Sequence, residues 1–268
     1  PPAVQRSLVV AYATSVASIM GVNLVYPLLP AMMQQLGVDE TSVSLMVTVY
    51  TAPAIVLAPI AGIVADLYGR KRLLFWGMLL FGLAGASVAL APTLEWALAL
   101  RFLQGVASSV LFPLTIVLLS DLLEGDQETS AQGLKVVLDR VATATLPVAA
   151  GALAAVAWNA AYYLYVFTIP IAFLSLWWTP ERRRPGGSVA GYFRSMLAAG
   201  GNRKILAAYG AGFLRFFLDY GYFTYVPIYL AVSRGTPPVV VGQVLACYAV
   251  GAMITASQRS EEHTSELQ

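Results

Sequence analysis

The chain has 268 residues, a net charge of +2, 58% of its residues from the set AVILMFWYC and only 11% charged. Ordinary soluble domains carry about 25% charged residues, and a mean hydropathy of +0.71 leaves too little polar surface to keep such a fold in water. A typical soluble enzyme is therefore excluded, and one His with one Cys also excludes an intrachain disulfide and most His- or Cys-built metal sites.

A membrane-crossing helix needs roughly 20 mostly apolar residues. Eight such stretches follow in order, at 7–29, 43–65, 73–90, 96–120, 132–156, 160–178, 205–230 and 239–257. They predict an all-α polytopic membrane protein. Pro27 and Pro30 predict a kink or stop at the end of the first span. Asp39, Glu40, Thr41 and Ser42 suit the cap and first turn of the second. If the start lies inside, the inner segments hold Arg6, Arg70, Lys71, Arg72, Lys135, Arg182, Arg183, Arg184, Arg194, Arg203 and Lys204, and the outer loops hold only Arg234. Eleven against one places both ends of the eight spans in the cytoplasm.

The stretch 179–204 is the longest polar interruption and contains Pro185, Gly186 and Gly187. It reads as a cytoplasmic linker, with a short amphipathic helix at 194–197. It separates six spans, 1–178, from two, 205–258. Tyr26 and Pro27 in the first span match Val226 and Pro227 in the seventh, and Tyr50 in the second matches Tyr248 in the eighth. Offsets close to 200 fit two parallel halves of a repeated bundle. Residues 259–268 change character abruptly and read as the in-frame translation of a sequencing adapter. We treat them as a non-native tail, outside the fold reasoning. Without its one Arg and three Glu the net charge is +4.

The loop after the second span runs Gly62-Ile-Val-Ala-Asp66-Leu-Tyr-Gly69-Arg70-Lys71-Arg72. Gly62 suits close helix approach, Gly69 a tight turn, and Asp66 requires a cation or helix N-terminus at the membrane surface. This loop resembles the signature between helices two and three of the major facilitator superfamily, G-x-x-x-D-(R/K)-x-G-(R/K)-(R/K), with Leu67 departing from it. In the fourth span Arg101, Gln104, Gly105 and Ser108 share one helical face, and the segment resembles the family's R-x-x-x-G pattern. A snorkelling Arg101, about five residues and 8 Å from the surface, is the plainer alternative. The resemblance implies that Asp66, Arg70 and Asp121 form a cytoplasmic charge network that latches one transport state.

The fifth span carries Asp139, Arg140, Pro147 and Gly151. It half-matches the G-x-x-x-G-P-x-x-G-G motif of drug:proton antiporters, with Ala142, Leu146 and Ala150 at the other glycine positions. Asp139 and Arg140 lie roughly 10 Å from the inner surface and point about 100° apart, so each needs another partner. An ionisable residue inside a span is a functional candidate by default, the alternative being a structural ion pair. In the seventh span Arg215 and Asp219 are spaced to pair, and Tyr222 extends their face. Asp219 also lies at the depth of Arg101, which permits a pair across the halves. A carboxylate whose cation partner leaves can switch protonation, as proton coupling requires. The tyrosines divide between cavity wall and interfacial belt. Asn23 and Tyr26 in the first span are candidate substrate contacts.

The resemblance implies a complete N-terminal six-helix bundle plus the first two helices of the C-terminal one. It implies a secondary active transporter resembling twelve-helix drug:proton antiporters. Proton-coupled efflux of small amphipathic compounds by alternating access, as in multidrug resistance, is the activity it suggests. The setting is a bacterial inner membrane, the partners lipid, a small-molecule substrate and protons, with no nucleic acid, no cofactor, no metal and a monomeric state. The chain is expected to be a fragment, inactive alone. An exporter of sugars, siderophores or amino acids is the alternative within the family. A non-transporting sensor or a membrane-embedded enzyme is the remoter one. An enzyme lacks support because Cys247 lies in an apolar span and His263 in the tail.

Overall fold

The computed structural model describes residues 2–181 and 203–265, with backbone alone at 67 and 252–265. Among the described residues all regular structure is helical. The α-helices are α1 (Pro2–Asn23), α2 (Leu29–Leu36), α3 (Glu40–Tyr68), α4 (Arg70–Ser87), α5 (Leu94–Leu122), α6 (Asp126–Ala154), α7 (Thr168–Trp178), α8 (Arg203–Arg234) and α9 (Pro238–Ser265). Short 3₁₀ segments lie at Tyr26–Leu28, Val88–Leu90 and Ala160–Phe167. The expected amphipathic helix at 194–197, most of the linker, and the side chains of Leu67 and the tail lie outside what is described.

Local chemistry accounts for the boundaries. Pro27 and Pro30 each fall in the first two positions of a new helical segment, where a missing N–H is harmless. The first span is therefore broken after Asn23, as the prolines predict. Gly37, left-handed at φ 65°, ends α2. Asp39 then caps α3, its carboxylate accepting from the Ser42 amide at 2.9 Å. The Ser42 side chain, together with this amide, holds the Asp39 carboxyl below its usual range. Gly69, at φ 86°, is both the last cap of α3 and the first of α4, so one residue makes the turn that a Cβ would strain. The sixth span differs from expectation: it opens as 3₁₀ helix and becomes α-helical only at Thr168. Pro170 supplies the reason, since its ring opposes an α-helical carbonyl four residues earlier.

Among the described residues, six helical segments are long and apolar enough to cross a membrane: Pro2–Leu36, Glu40–Asp66, Arg70–Leu90, Leu94–Leu122, Asp126–Ala154 and Ala160–Trp178. The segments expected as the seventh and eighth spans are helical, as α8 and α9, but neither is among these six. Arg215 and Asp219 dilute the apolar character of α8, and α9 offers the shorter apolar helix Pro238–Gly251. Large apolar groups such as Ile55, Trp76 and Trp177 point outward, as they would in lipid. The interior holds Arg101, Tyr162, Tyr165 and Phe81, all nearly inaccessible.

α5 sits centrally, packed by α1, α3 and α4, while α6 packs against α1 and α9. Several contacts depend on glycine, two of them at motif positions. A Cβ at Gly105 on α5 would lie 2.1 Å from the Tyr50 carbonyl oxygen of α3, and one at Gly151 on α6 would lie 2.4 Å from the Pro238 carbonyl oxygen. Gly62 behaves otherwise than expected. It is exposed, and a Cβ there would meet nothing within 4 Å. That side of α3 carries no described neighbour, so Gly62 makes no close helix approach here.

Candidate functional site

A cavity of about 360 Å³ opens between the six-helix bundle and α8. Ser18 and Asn23 of α1, Tyr26, Tyr50 and Thr51 of α3, Gly105, Ser108 and Phe112 of α5, Thr143 of α6, and Phe216, Asp219, Tyr220 and Phe223 of α8 line it. Asn23, Tyr26 and Asp219 thus share one cavity wall. Asn23 donates its side-chain amide to the Ile19 carbonyl at 3.0 Å. Tyr26 stacks on Phe223 at 5.1 Å, joining the first span to the seventh.

Tyr222 is not a wall residue. It stacks on Tyr248 of α9 at 4.4 Å between ring centres. The face of α8 that meets the cavity carries Phe216, Asp219, Tyr220 and Phe223, an i, i+3, i+4, i+7 series. Sequence reasoning centred the face on Arg215 and Tyr222 and so missed three of its four residues. The aromatic series itself was the available signal.

Arg101 is completely buried, which removes the snorkelling alternative. Its Nε donates to the Met46 carbonyl at 3.1 Å, and its Nη1 donates to Gln104 Oε1 at 2.6 Å. The guanidinium stacks over the Tyr50 ring, 4.1 Å from its centre. Two turns on, Ser108 accepts a hydrogen bond from the Tyr50 hydroxyl at 2.7 Å. The polar stripe on α5 thus packs against α3, and Gly105 and Ser108 bring it to the cavity.

Asp219 does not pair with Arg101. Its Oδ1 accepts from the Tyr248 hydroxyl at 2.6 Å, and its Oδ2 lies 3.7 Å from Arg215 Nε, one turn away on α8. Arg215 is largely exposed, its side chain at 64%, so the pair is open on one side. The acid is claimed by its own helix and by α9, which leaves the cross-bundle pair unmade.

Asp139 and Arg140 diverge as helical geometry requires. Arg140 is exposed. Asp139 accepts from Ser15 of α1 at 2.6 Å and from Lys135 Nζ, one turn back, at 2.8 Å. Lys135 is 5% exposed and lies over the Phe112 ring at 4.8 Å. Counting Lys135 among the loop cations was therefore incorrect. Its ammonium turns inward because a carboxylate and an aromatic face together replace its water.

The loop signature closes on itself. Arg70, buried, contacts Asp66 at 3.4 Å and forms a close ion pair with Asp121 at the end of α5. Lys71 lies beside them partly exposed, and Arg72 reaches Glu181 at 3.9 Å on the surface. Pro147 and Gly151 form the contact between α6 and α9: a Cβ at Gly242 would lie 2.3 Å from the Pro147 carbonyl oxygen. Ala142 and Ala150 are buried, so they keep the small profile that the glycines of the motif would give.

Comparison with known proteins follows this geometry. The Major Facilitator Superfamily profile matches residues 11–259. The Bacillibactin exporter of Bacillus subtilis (strain 168) is 39% identical over 120 residues, 43% of this chain and 30% of the exporter. The Lincomycin resistance protein of Streptomyces lincolnensis is 36% identical over 92 residues, 34% of this chain and 19% of that protein. Multidrug resistance protein 1 of Bacillus subtilis (strain 168) is 28% identical over 103 residues, 38% of this chain and 26% of that protein. The matched segments thus span less than a third of each of these relatives. Among solved structures, a bacterial homologue of the human lysosomal transporter Spinster, inward-facing and unoccupied, superposes with a TM-score of 0.78 at 14% identity, over 95% of this chain and 61% of that one. A D-xylose–proton symporter superposes with a TM-score of 0.62 at 13% identity, over 94% of this chain and 69% of that one. The match over nearly the whole chain, on a helical fold shared with these transporters, shows that the chain belongs to the Major Facilitator Superfamily.

Proposed function

We propose that this chain supplies the first six helices and two further helices of a secondary active exporter of small amphipathic compounds. Alternating access would use protons as the coupling ion. The observation that carries this reading is the cavity between the bundle and α8, where Asp219 meets a wall of aromatic rings. Relatives named for bacillibactin export, lincomycin resistance and multidrug resistance support efflux of small organic compounds. In this reading Asp219 is the coupling carboxylate, released from Arg215 and Tyr248 as the halves rock. Asp66, Arg70 and Asp121 form the cytoplasmic latch. Residues 1–178 form one bundle, 179–204 the linker and 205–258 part of the second. The proposal places a monomer in a bacterial cytoplasmic membrane, with both ends of the described helices on the cytoplasmic side. No enzymatic step is assigned. Because the matched segments cover so little of the relatives, the transporting unit in this proposal includes further helices.

The test is proton-driven efflux from liposomes containing the complete carrier that includes this sequence. Asp219→Asn abolishes coupled efflux while leaving membrane insertion intact. Unchanged pH-dependent efflux in that variant rejects the assignment. Robust flux from the 268-residue chain alone rejects the need for further helices.

A further inference from the structure

The polar groups around the central cavity are out of balance. Arg101 is fully buried, and no carboxylate pairs with it among the described residues. Its Nη2 and the Nε2 of Gln104 have no hydrogen-bond partner. Asp219 is the acid on the cavity wall, and Tyr248 and Arg215 already engage it. The hydroxyls of Tyr26 and Tyr220, both wall residues, donate to no protein group among the described residues. The cavity wall thus offers hydroxyl donors, with an uncompensated cation behind the Tyr50 ring, while the carboxylate on the wall is occupied. A buried cation without a counter-charge is unfavourable, and an unmatched donor calls for an acceptor.

We propose that the cavity takes small aromatic acids, an apolar ring system bearing a carboxylate or phenolate, in preference to lipophilic cations. This rests on the cavity being the substrate site. The acidic end faces Tyr26 and Tyr220, and the rings lie against Phe112, Phe216 and Phe223. Tyr50 stands between Arg101 and the open volume, so the guanidinium acts through space. Between buried aromatic rings that attraction is screened less than at an open surface. Arg101 is accordingly a positioning residue for charge, and Tyr26 and Tyr220 are direct contacts.

Three probes of one shape separate charge from size: 2-naphthoate, 2-naphthamide and N,N,N-trimethyl-2-naphthylammonium. Binding to the complete carrier that includes this sequence, in neutral-lipid nanodiscs, is measured by equilibrium dialysis, with empty nanodiscs correcting for lipid partition. The carboxylate binds about ten-fold more tightly than the cation. Arg101→Gln removes that preference and Arg101→Lys retains it. Tyr220→Phe weakens 2-naphthoate by about 2- to 10-fold and leaves the cation unchanged. If Arg101→Gln does not fold, Arg101→Lys and Tyr220→Phe decide the matter. Equal or tighter binding of the cation overturns the charge preference while leaving the substrate cavity standing, and so does Tyr220→Phe binding 2-naphthoate as the parent does. Failure of all three probes to exceed empty nanodiscs removes the substrate cavity, and the proposal with it.

Discussion

Gly105 and Gly62 both belong to family-like motifs, yet the structure predicts opposite outcomes when each becomes alanine. A Cβ at residue 105 would lie 2.1 Å from the Tyr50 carbonyl oxygen and 2.8 Å from its carbon. Ordinary C···O contacts begin at about 3.3 Å, so α3 and α5 must part by roughly 1 Å. That interface also carries the Arg101–Met46 and Tyr50–Ser108 hydrogen bonds, which stretch together. Overpacking costs about 1–3 kcal/mol and each strained hydrogen bond about 0.5–1.5 kcal/mol. Gly105→Ala should therefore destabilise by about 2–6 kcal/mol. At Gly62 a Cβ meets open space, and replacing an interior helical glycine by alanine stabilises by about 0.5–1 kcal/mol. Unfolding in mixed micelles, followed by tryptophan fluorescence, reads both. Gly62→Ala as damaging as Gly105→Ala, or Gly105→Ala within about 0.5 kcal/mol of the parent, refutes the packing argument.

Three further outcomes follow from the charge clusters. Arg70→Ala removes the cation buried against Asp121 and should destabilise by about 3–5 kcal/mol. The double replacement Arg70→Met with Asp121→Leu regains most of that loss in the same unfolding assay. Lys135→Met leaves Asp139 with Ser15 alone and lowers stability more than Lys135→Met combined with Asp139→Asn, a difference that a double-mutant cycle measures. At Asp39 the Ser42 side chain and amide together hold the carboxyl below its usual range. Its capping contribution is complete above the ordinary aspartate value of about 3.9 and fades in acid below it. Exchange of the Ser42 amide, normalised for intrinsic rate, should accelerate in that window for the parent and lose that dependence in Asp39→Asn.

Much of this architecture could be read from residue order because lipid imposes simple rules. Long apolar runs became helices, Pro27 and Pro30 broke the first span, and Gly69 made the turn between α3 and α4. The Asp66, Arg70 and Asp121 cluster followed from the family resemblance, since two of its members lie over fifty residues from the third. The errors came where a helix can turn any face toward its neighbour. Tyr222 and Tyr220 differ by two positions and therefore by about 200° around α8. Only packing against α9 sends the first to Tyr248 and leaves the second on the cavity wall. Lys135 looked like a loop cation because nothing local reveals that Phe112 and Asp139 await its ammonium. Gly62 carried the right residue type for close approach, but no described helix meets it. The 3₁₀ opening at Ala160–Phe167 was signalled by Pro170, whose effect on the preceding turn outweighed the apolar run.

The central claim is that water reaches the charged space between the bundle and α8 while the outer faces of the helices meet lipid. Cys247 is exposed and is the single cysteine, so Cys247→Ser gives a blank background. Single cysteines then replace Ser108 and Phe216 on the cavity wall and Ile55 and Trp76 on the outer surface. Labelling in membranes with a charged, membrane-impermeant thiosulfonate should modify the first pair and spare the second. Modification at Ile55 and Trp76 with Ser108 and Phe216 protected would contradict the account.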